Sequence, residues 1–341
     1  MWRNPTESVR LCALWKTRVD SRLQTNEQHG EEMMPIRVIV LLGPTGVGKT
    51  SLAVDLACRL QGEIVSADSR QVYRGMDIAT AKPTPVQRAA VPHHLLDVAA
   101  PNEPFTLADY CEQAHAAVLA IAGRGHSPFL VGGTGQYLAA LLEGWKVPRV
   151  PPHPDLRAHL QQEAQEQGTE ALYRRLQRVD PQAATCIHPR NLRRIIRALE
   201  VYEVTGLCFS QQQGRTPPSH DYLVLGLTME RPALYARADR RAEEMVRQGL
   251  VAEVRDLLAR GYGWDLPAMA GLGYVQFRPY LEGHCSLEES LQRLKYDTHA
   301  FIRHQYTWFR RFPVQRWFDA GWPEELAAVL PCIQRTVSQA T

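Results

Sequence analysis

The run Gly43-Pro44-Thr45-Gly46-Val47-Gly48-Lys49-Thr50 constrains this chain more than any other stretch. It fits Gly-x-x-x-x-Gly-Lys-Ser/Thr, and its flanks decide how it reads. Residues 36–42 before it are apolar and largely β-branched, the composition of a buried strand. Residues 49–60 after it carry Leu52, Leu56 and Leu60 at helical spacing. Strand, glycine loop and helix in that order aim backbone N–H groups and a helix N-terminus at one point, where they cradle a phosphate group. Lys49 adds a mobile positive charge, and the Thr50 hydroxyl can hold a magnesium ion. A glycine-rich turn with no ligand is the alternative, and the strand and helix in their correct places speak against it. The loop implies a phosphate. It leaves open which phosphate compound, and whether a phosphoryl group moves.

Around the loop, residues 35–143 alternate strand patterns (36–42, 63–66, 94–98, 128–131) with helix patterns (49–60, 107–122, 136–142). Such alternation builds a parallel sheet covered on both faces. The proline-rich run 147–154 breaks the pattern, and 155–213 then reads as helix. A second break at 214–219 precedes a strand at 222–229. Helices at 233–248, 251–259 and 287–311, a short strand at 314–318 and a helix from Pro323 complete the chain. The expected fold is an α/β, P-loop NTPase-like parallel sheet with helices on both faces and an all-helical insertion. Its segments are 1–34, a polar and poorly ordered extension; 35–145, the first part of the core; 146–218, the insertion; and 219–341, the rest of the core and the C-terminal helices.

A net charge of +3 makes the average surface only mildly basic, so any nucleic-acid surface must come from local clusters. No stretch reaches the ~20 apolar residues of a membrane span. Residues 1–34 lack the apolar centre of a signal peptide. The seven cysteines are scattered, with no Cys-x-x-Cys pair, which excludes a zinc knuckle or redox motif and fits reduced thiols in a cytoplasm.

Just beyond the second strand lies Ser66-Ala67-Asp68-Ser69-Arg70-Gln71-Val72-Tyr73. Open parallel sheets gather ligands at the carboxyl ends of their strands, so Asp68 faces whatever the loop holds. A carboxylate there either binds magnesium or acts as a general base; capping a turn is the plainer role. The strand around 129–131 ends in Gly132-Gly133-Thr134-Gly135, not in an acid. Small residues there leave room for another molecule to approach the backbone, or simply make a tight turn. Two basic clusters follow. Arg190, Arg193, Arg194 and Arg197 recur at three- and four-residue spacing on one helix face. Phe301-Ile302-Arg303-His304-Gln305-Tyr306-Thr307-Trp308-Phe309-Arg310-Arg311 mixes cations, which hold phosphates, with rings that stack on exposed bases. A solvated face and a core helix are the respective bland readings.

These pieces, in this order, resemble the tRNA dimethylallyltransferases, the isopentenyl transferases that modify the adenosine next to the anticodon. The resemblance runs from about residue 37 to about residue 311. Besides the runs already named it rests on Met76-Asp77-Ile78-Ala79-Thr80-Ala81-Lys82-Pro83, Pro92-His93-His94-Leu95-Leu96-Asp97, Arg197-Ala198-Leu199-Glu200-Val201 and Gly273-Tyr274. Asp-Ser-x-Gln-x-Tyr followed by Met-Asp-Ile-x-Thr-Ala-Lys-Pro is its most specific part. Three positions depart from the pattern: Ala79 replaces a usual glycine, Val275 follows Tyr274 where a basic residue is usual, and His299 stands for a common arginine. The zinc-finger extension of eukaryotic relatives is absent, which favours a bacterial-type enzyme.

The resemblance implies that the 43–50 loop holds the diphosphate of dimethylallyl diphosphate, not a nucleotide. The dimethylallyl group then passes to the N6 amine of the adenosine 3′ of the anticodon in tRNAs reading codons that begin with U. Lys49, the loop amides and magnesium at Thr50 would neutralise the leaving diphosphate. Asp68 matches the family's base, and Arg231 resembles the arginine that grips the diphosphate from the opposite side. The base must leave its stack to react, past Asp68, Ser69, Arg70, Gln71 and Thr134. Further tRNA contacts expected are Arg193, Arg194, Arg197, Gly273, Tyr274, Arg303, His304, Gln305 and Arg310. The expected partners are the tRNA anticodon stem-loop and dimethylallyl diphosphate, met by a monomer in the cytoplasm with magnesium as its cofactor. A P-loop small-molecule or nucleotide kinase is the alternative, with ATP in the loop and arginines in a lid. An RNA-binding ATPase module that is not a transferase is the third reading.

Overall fold

A computed structural model describes residues 36–339; the extension expected at 1–34 lies outside the described residues. In chain order the elements are β1 (Arg37–Leu42), α1 (Lys49–Arg59), β2 (Gly62–Ala67), α2 (Pro85–Ala90), β3 (His93–His94), α3 (Leu107–Gly123), β4 (Ser127–Gly132), α4 (Gly135–Leu142), β5 (Trp145–Lys146), α5 (Pro154–Gln167), α6 (Thr169–Val179), α7 (Pro181–Cys186), α8 (Leu192–Thr205), α9 (Phe209–Gln212), β6 (Gly214–Arg215), β7 (Asp221–Thr228), α10 (Arg231–Arg247), α11 (Leu250–Ala259), α12 (Arg278–Leu281), α13 (Leu287–Phe309), β8 (Arg316–Asp319), α14 (Pro323–Ala327) and α15 (Val329–Gln339).

Six strands form one sheet in the order β3-β2-β4-β1-β7-β8, and every neighbouring pair is parallel. A parallel sheet is buried on both faces, which is why β1 reads as an unbroken apolar run rather than an alternating one. Val38, Val40, Leu41 and Leu42 are all fully buried. The core on one side gathers Leu41, Phe129 and Leu225 from the strands with Leu56 of α1 and Leu234 of α10.

The strand expected over 94–98 is only two residues long. Leu95 and Asp97 take left-handed backbone (φ 60° and 58°), which no strand tolerates. Lys82 holds the bend: its buried Nζ donates to Tyr73 O (2.6 Å), Asp77 Oδ1 (2.6 Å) and Asp97 Oδ1 (2.5 Å). Arg88 donates to the other oxygen of Asp97 (2.8 Å). Burial alone would raise the Asp97 carboxyl, but these two cations hold it below the usual carboxylate range.

The described chain falls into two compact units. One takes in the residues up to Glu103, Tyr110–Leu138 and the chain from Ser219 onward; it contains the sheet. The other comprises Pro104–Asp109 and Ala139–Pro218. This second unit has its own core of Leu160, Leu172, Leu176, Ile195 and Leu199. At its centre Glu200 is fully buried and accepts from His153 N, from both arms of Arg157 and from Arg197 Nη1 (2.6 Å). A buried carboxylate with this many donors is tolerated where a bare one is not.

Candidate active site

The loop after β1 takes its shape from its glycines. A Cβ at Gly43 would lie 2.6 Å from the carbonyl oxygen of Leu227, so nothing larger fits between β1 and β7. Gly48 is the N-cap of α1, with φ +104° and no capping side chain. The first turn of a helix leaves N–H groups without intrahelical partners. With no cap side chain, those of Lys49, Thr50 and Ser51 are open to the cavity that these residues line. The tip of the loop is fixed from behind. Thr45 N donates to Gln305 Oε1 (2.9 Å), and Gln305 Nε2 donates to Gly133 O (3.0 Å). One amide from α13 thus ties the loop to the turn after β4.

The cavity lies along the carboxyl ends of β1, β2, β4, β7 and β8, where an open parallel sheet collects its ligands, and has a volume of about 1640 Å³. That exceeds the roughly 300–1000 Å³ of a typical small-molecule site. Lys49, Thr50, Asp68, Arg237 and Arg241 line it. Lys49 Nζ donates to Pro44 O (2.8 Å). The side chain keeps some surface on the cavity, yet protein crowds its ammonium. Burial pushes it down to about 7, opposed by the Asp68 carboxylate and aided by the Arg241 guanidinium. Burial also lowers Arg241, again against the pull of Asp68. Arg237 comes from the facing helix; a Cβ at Gly48 would sit 3.2 Å from its Nη2. Among the described residues, no carboxylate stands within ion-pair distance of Lys49, Arg237 or Arg241. Cations gathered in a cavity with no ion-pair partner of their own form a receptor for a polyanion.

Asp68 is shaped as a turn on one side. Its Oδ1 accepts from Arg70 N (2.9 Å) and Gln71 N (3.4 Å), while Oδ2 makes no hydrogen bond among the described residues. The turn is pinned by Thr134, whose Oγ1 accepts from Ser69 N (3.0 Å). Gln71 donates to the carbonyls of Thr80 and Ala81, and accepts from Ser66 Oγ. The plain capping role and the chemical role therefore fall on different oxygens of one carboxylate.

Several expected site residues sit elsewhere. Arg231 is exposed at the first position of α10 and does not line the cavity; Arg237 and Arg241, farther along the same helix, do. Sequence reasoning missed them, although Arg237, Arg240 and Arg241 already repeat at helical spacing after the β7 strand. Gln305 is 4% exposed and spends its amide inside the protein, so it is a clamp and not a surface for RNA. Tyr274 is fully buried with its hydroxyl donating to Glu253 Oε1 (2.7 Å), and Gly273, at φ +96°, donates its N–H to Gln276. Arg197 pairs with Glu200 and donates to Val150 O (2.9 Å), whereas Arg193 and Arg194 on the same helix are exposed. Arg70 donates to Pro267 O (2.7 Å). Arg303 and His304 lie on the exposed side of α13 and Arg310 is exposed at its C-cap, while the buried side carries Ile302, Gln305 and Phe309. The small residues after β4 do not make room for a visitor. A Cβ at Gly133 would meet Gln305 Nε2 at 2.4 Å, and one at Gly135 would meet the Trp308 ring at 2.2 Å. Of the three departures from the family pattern, His299 stacks on Tyr235 (4.0 Å between centroids) and meets Asp239 (2.8 Å), and Val275 is exposed.

The sequence profile of the IPP transferase family matches residues 71–312. The chain belongs to the IPP transferase family. A tRNA dimethylallyltransferase of Roseiflexus sp. (strain RS-1) is 60% identical over 278 residues, covering 82% of this chain and 91% of that protein. One from Roseiflexus castenholzii is 57% identical over 304 residues, covering 89% and 99%. Among solved structures, a full-length tRNA isopentenylpyrophosphate transferase from Bacillus halodurans is similar with a TM-score of 0.66 and 38% identity, over 89% of this chain and 97% of that one. A eukaryotic dimethylallyltransferase described as acting on tRNA reaches a TM-score of 0.71 at 28% identity, over 84% and 74%. The family profile begins at Gln71 and so leaves out the loop and Asp68. Those residues stand on their own geometry, at the carboxyl ends of β1 and β2, in a sheet to which the matched residues contribute β3, β4 and β7. No described helix is long and apolar enough to cross a membrane.

Proposed function

We propose that this chain is a tRNA dimethylallyltransferase. It moves the dimethylallyl group of dimethylallyl diphosphate to the N6 amine of the adenosine 3′ of the anticodon in tRNAs reading codons that begin with U. The observation that carries the reading is one oversized cavity with unpaired cations at the loop and, beside them, Asp68 with one carboxylate oxygen free of hydrogen bonds.

The chemistry follows from that arrangement. The diphosphate lies against the amides of the 43–50 loop, with Lys49, Arg237 and Arg241 around it. As the bond between C1 and the bridging oxygen breaks, negative charge grows on the diphosphate, where fixed donors are worth most. The N6 lone pair forms the new bond to C1. Its proton passes to Asp68, whose Oδ1 is held by two backbone N–H groups. The products are N6-isopentenyladenosine and diphosphate.

The donor set also fits magnesium. No cluster of three or more His, Cys, Asp or Glu side chains that could hold a metal occurs among the described residues. Magnesium bound through substrate phosphates needs only one or two protein oxygens, and the Thr50 hydroxyl and Asp68 face the same cavity. Bound there, the ion would add charge neutralisation at the leaving group. In the second unit the exposed Arg193 and Arg194 would hold tRNA phosphates; in the first, so would Arg303 and His304 of α13 and Arg310 at its C-cap. The protein works as a monomer in the cytoplasm, where its tRNA is.

The test is mass spectrometry of nucleosides from unmodified tRNA incubated with the protein, magnesium and dimethylallyl diphosphate. A new hydrophobic adenosine and released diphosphate are expected. ADP formed from ATP, with no modified nucleoside, would replace this reading by the kinase.

A further inference from the structure

Beside the main cavity is a second, smaller one. This notch has a volume of about 50 Å³. Its walls include the aliphatic groups of Ala79, Ala238, Ala242, Met245, Leu272 and Leu294, and Arg241 is its only charged residue. Thr45, Gly46, Thr80, Arg241 and Met245 line both spaces, so the notch adjoins the main cavity at the tip of the phosphate loop and along one face of α10. The polar chemistry above uses its rim, Thr45, Gly46 and Arg241, but not its aliphatic walls.

We propose that the notch seats the branched end of the prenyl donor, and that Ala79, Ala242 and Met245 limit the donor to five carbons. The proposal rests on the prenyl-transfer reading and adds the part of the site that reads the hydrocarbon. Position comes first. A donor whose diphosphate is held at the loop carries its hydrocarbon only a few bonds away, and the notch opens beside Thr45 and Gly46. Size is the second argument. A cavity needs about 10–15 Å³ of this kind of space per water-sized occupant, so 50 Å³ admits roughly three or four heavy atoms. The far end of a dimethylallyl group, C3 with its two methyls, has three. A donor longer by one isoprene unit has five further carbons and nowhere in the notch to put them. Lining is the third. Beside Thr45, Thr80, Thr298 and Arg241, six of its lining residues are aliphatic, and those walls shelter methyl groups from water.

The backbone around the notch is close-fitted, which makes it a gauge and not a soft space. A Cβ at Gly273 would come within 2.6 Å of Ala79 Cβ, so these two residues already touch limits. Ala242 is buried on α10, one turn before the half-buried Met245. Met245 stands between the two spaces, and shortening it removes three heavy atoms from the dividing wall.

The experiment compares dimethylallyl and geranyl diphosphates as donors for tRNA, with the modified nucleosides read by mass spectrometry and steady-state rates. Changes of one or a few methylenes in an apolar pocket alter selectivity by about 10- to 200-fold. Met245→Ala is expected to raise the ratio of geranyl to dimethylallyl kcat/KM by at least about tenfold over the parent protein. Ala242→Leu, which fills the notch, is expected to raise KM for dimethylallyl diphosphate by about tenfold or more. A cooperative thermal unfolding transition close to the parent's reports that the variant is folded, so that a raised KM reads loss of the notch. If Ala242→Leu does not fold, Met245→Ala decides alone. An unchanged donor ratio in Met245→Ala would show the notch to be a packing void and overturn the proposal. If the parent protein prenylates no tRNA at all, the prenyl-transfer reading falls, and the notch assignment with it.

Discussion

Strand β2 carries a carboxylate near each end, and the two are used in opposite ways. Glu63, near its start, is buried and answered in full: Arg124 binds it through Nε (2.9 Å) and Nη2 (2.7 Å), His94 through Nε2 (2.7 Å) and His126 through Nδ1 (2.7 Å). Burial raises this carboxyl, but the hydrogen bonds from Arg124, His94 and His126 outweigh it and hold it at about 2. Asp68, one residue past the other end, has one oxygen tied to backbone and the other without a hydrogen bond, beside cations it does not pair with. Charges closed on one another hold a fold together. Charges left open at the carboxyl edge of the same sheet are available to a ligand.

The comparison can be broken at each end, and the largest effect belongs to the open carboxylate. Asp68→Asn keeps the turn but accepts no proton. Single-turnover transfer on saturating tRNA should slow by about two to four orders of magnitude, the usual span for a lost general base. Thermal stability should hardly move. A full-rate variant would leave Asp68 as a turn cap only.

The open cations come next. Lys49→Ala and Arg237→Ala should each lower kcat by roughly 100- to 1000-fold, the scale of one lost charge-stabilising donor. Arg231→Ala, exposed and off the cavity, should stay within a few-fold of the parent. Equal losses in Arg231→Ala and Arg237→Ala would reverse the assignment that the structure makes between them.

At the closed end the effect should fall on stability alone. Glu63→Gln removes the charge and one of the two oxygens that Arg124, His94 and His126 share, and should cost about 1–3 kcal/mol in denaturant unfolding. The sign with pH is fixed by the lowered carboxyl: its contribution is present above about 4.5 and disappears as pH falls toward 2. The parent's advantage over Glu63→Gln should therefore shrink through that window, with donor turnover at neutral pH unchanged. An advantage that stays constant with pH would remove the electrostatic account.

The smallest effect is a single proton. With its ammonium lowered to about 7, Lys49 is largely neutral in the empty site above that pH. Diphosphate binding favours the charged form, so at pH 8 binding should take up as much as one proton, and below pH 7 almost none. Titration calorimetry in buffers of different ionisation enthalpy measures it, and Lys49→Ala should abolish it. Unfolding carries the matching sign: the unfolded chain regains the ordinary lysine value, so charging Lys49 destabilises the empty protein increasingly as pH falls from about 10.5 to 7. Uptake that persists in Lys49→Ala would place the proton elsewhere.

Much of the open end was legible in the chain because local rules suffice there. A glycine loop between a β-branched strand and an amphipathic helix has one arrangement, and the acid after the next strand must then lie beside it. The helix 301–311 shows the limit. Its composition told of rings and cations, but not that Gln305 points inward while Arg303, His304 and Arg310 point out. That division depends on which face packs on the turn after β4, which is a long-range fact. Arg197 is the same case: it shares a helix with Arg193 and Arg194, yet it belongs to the buried Glu200, an acid that no spacing rule joins to it.

The parallel α/β plan, the glycine loop, the helical stretch between two proline-rich breaks and the place of Asp68 beside that loop follow from residue order alone. All of these rest on periods of two and 3.6 residues and on the backbone demands of glycine and proline. Long-range packing settles that Arg237 and Arg241, and not Arg231, stand at the cavity, that the glycines after β4 make room for Gln305 and Trp308, and that a largely aliphatic notch adjoins the loop. These depend on the rotation of one helix about its axis and on atoms from segments over a hundred residues apart, and close packing, not local propensity, fixes both.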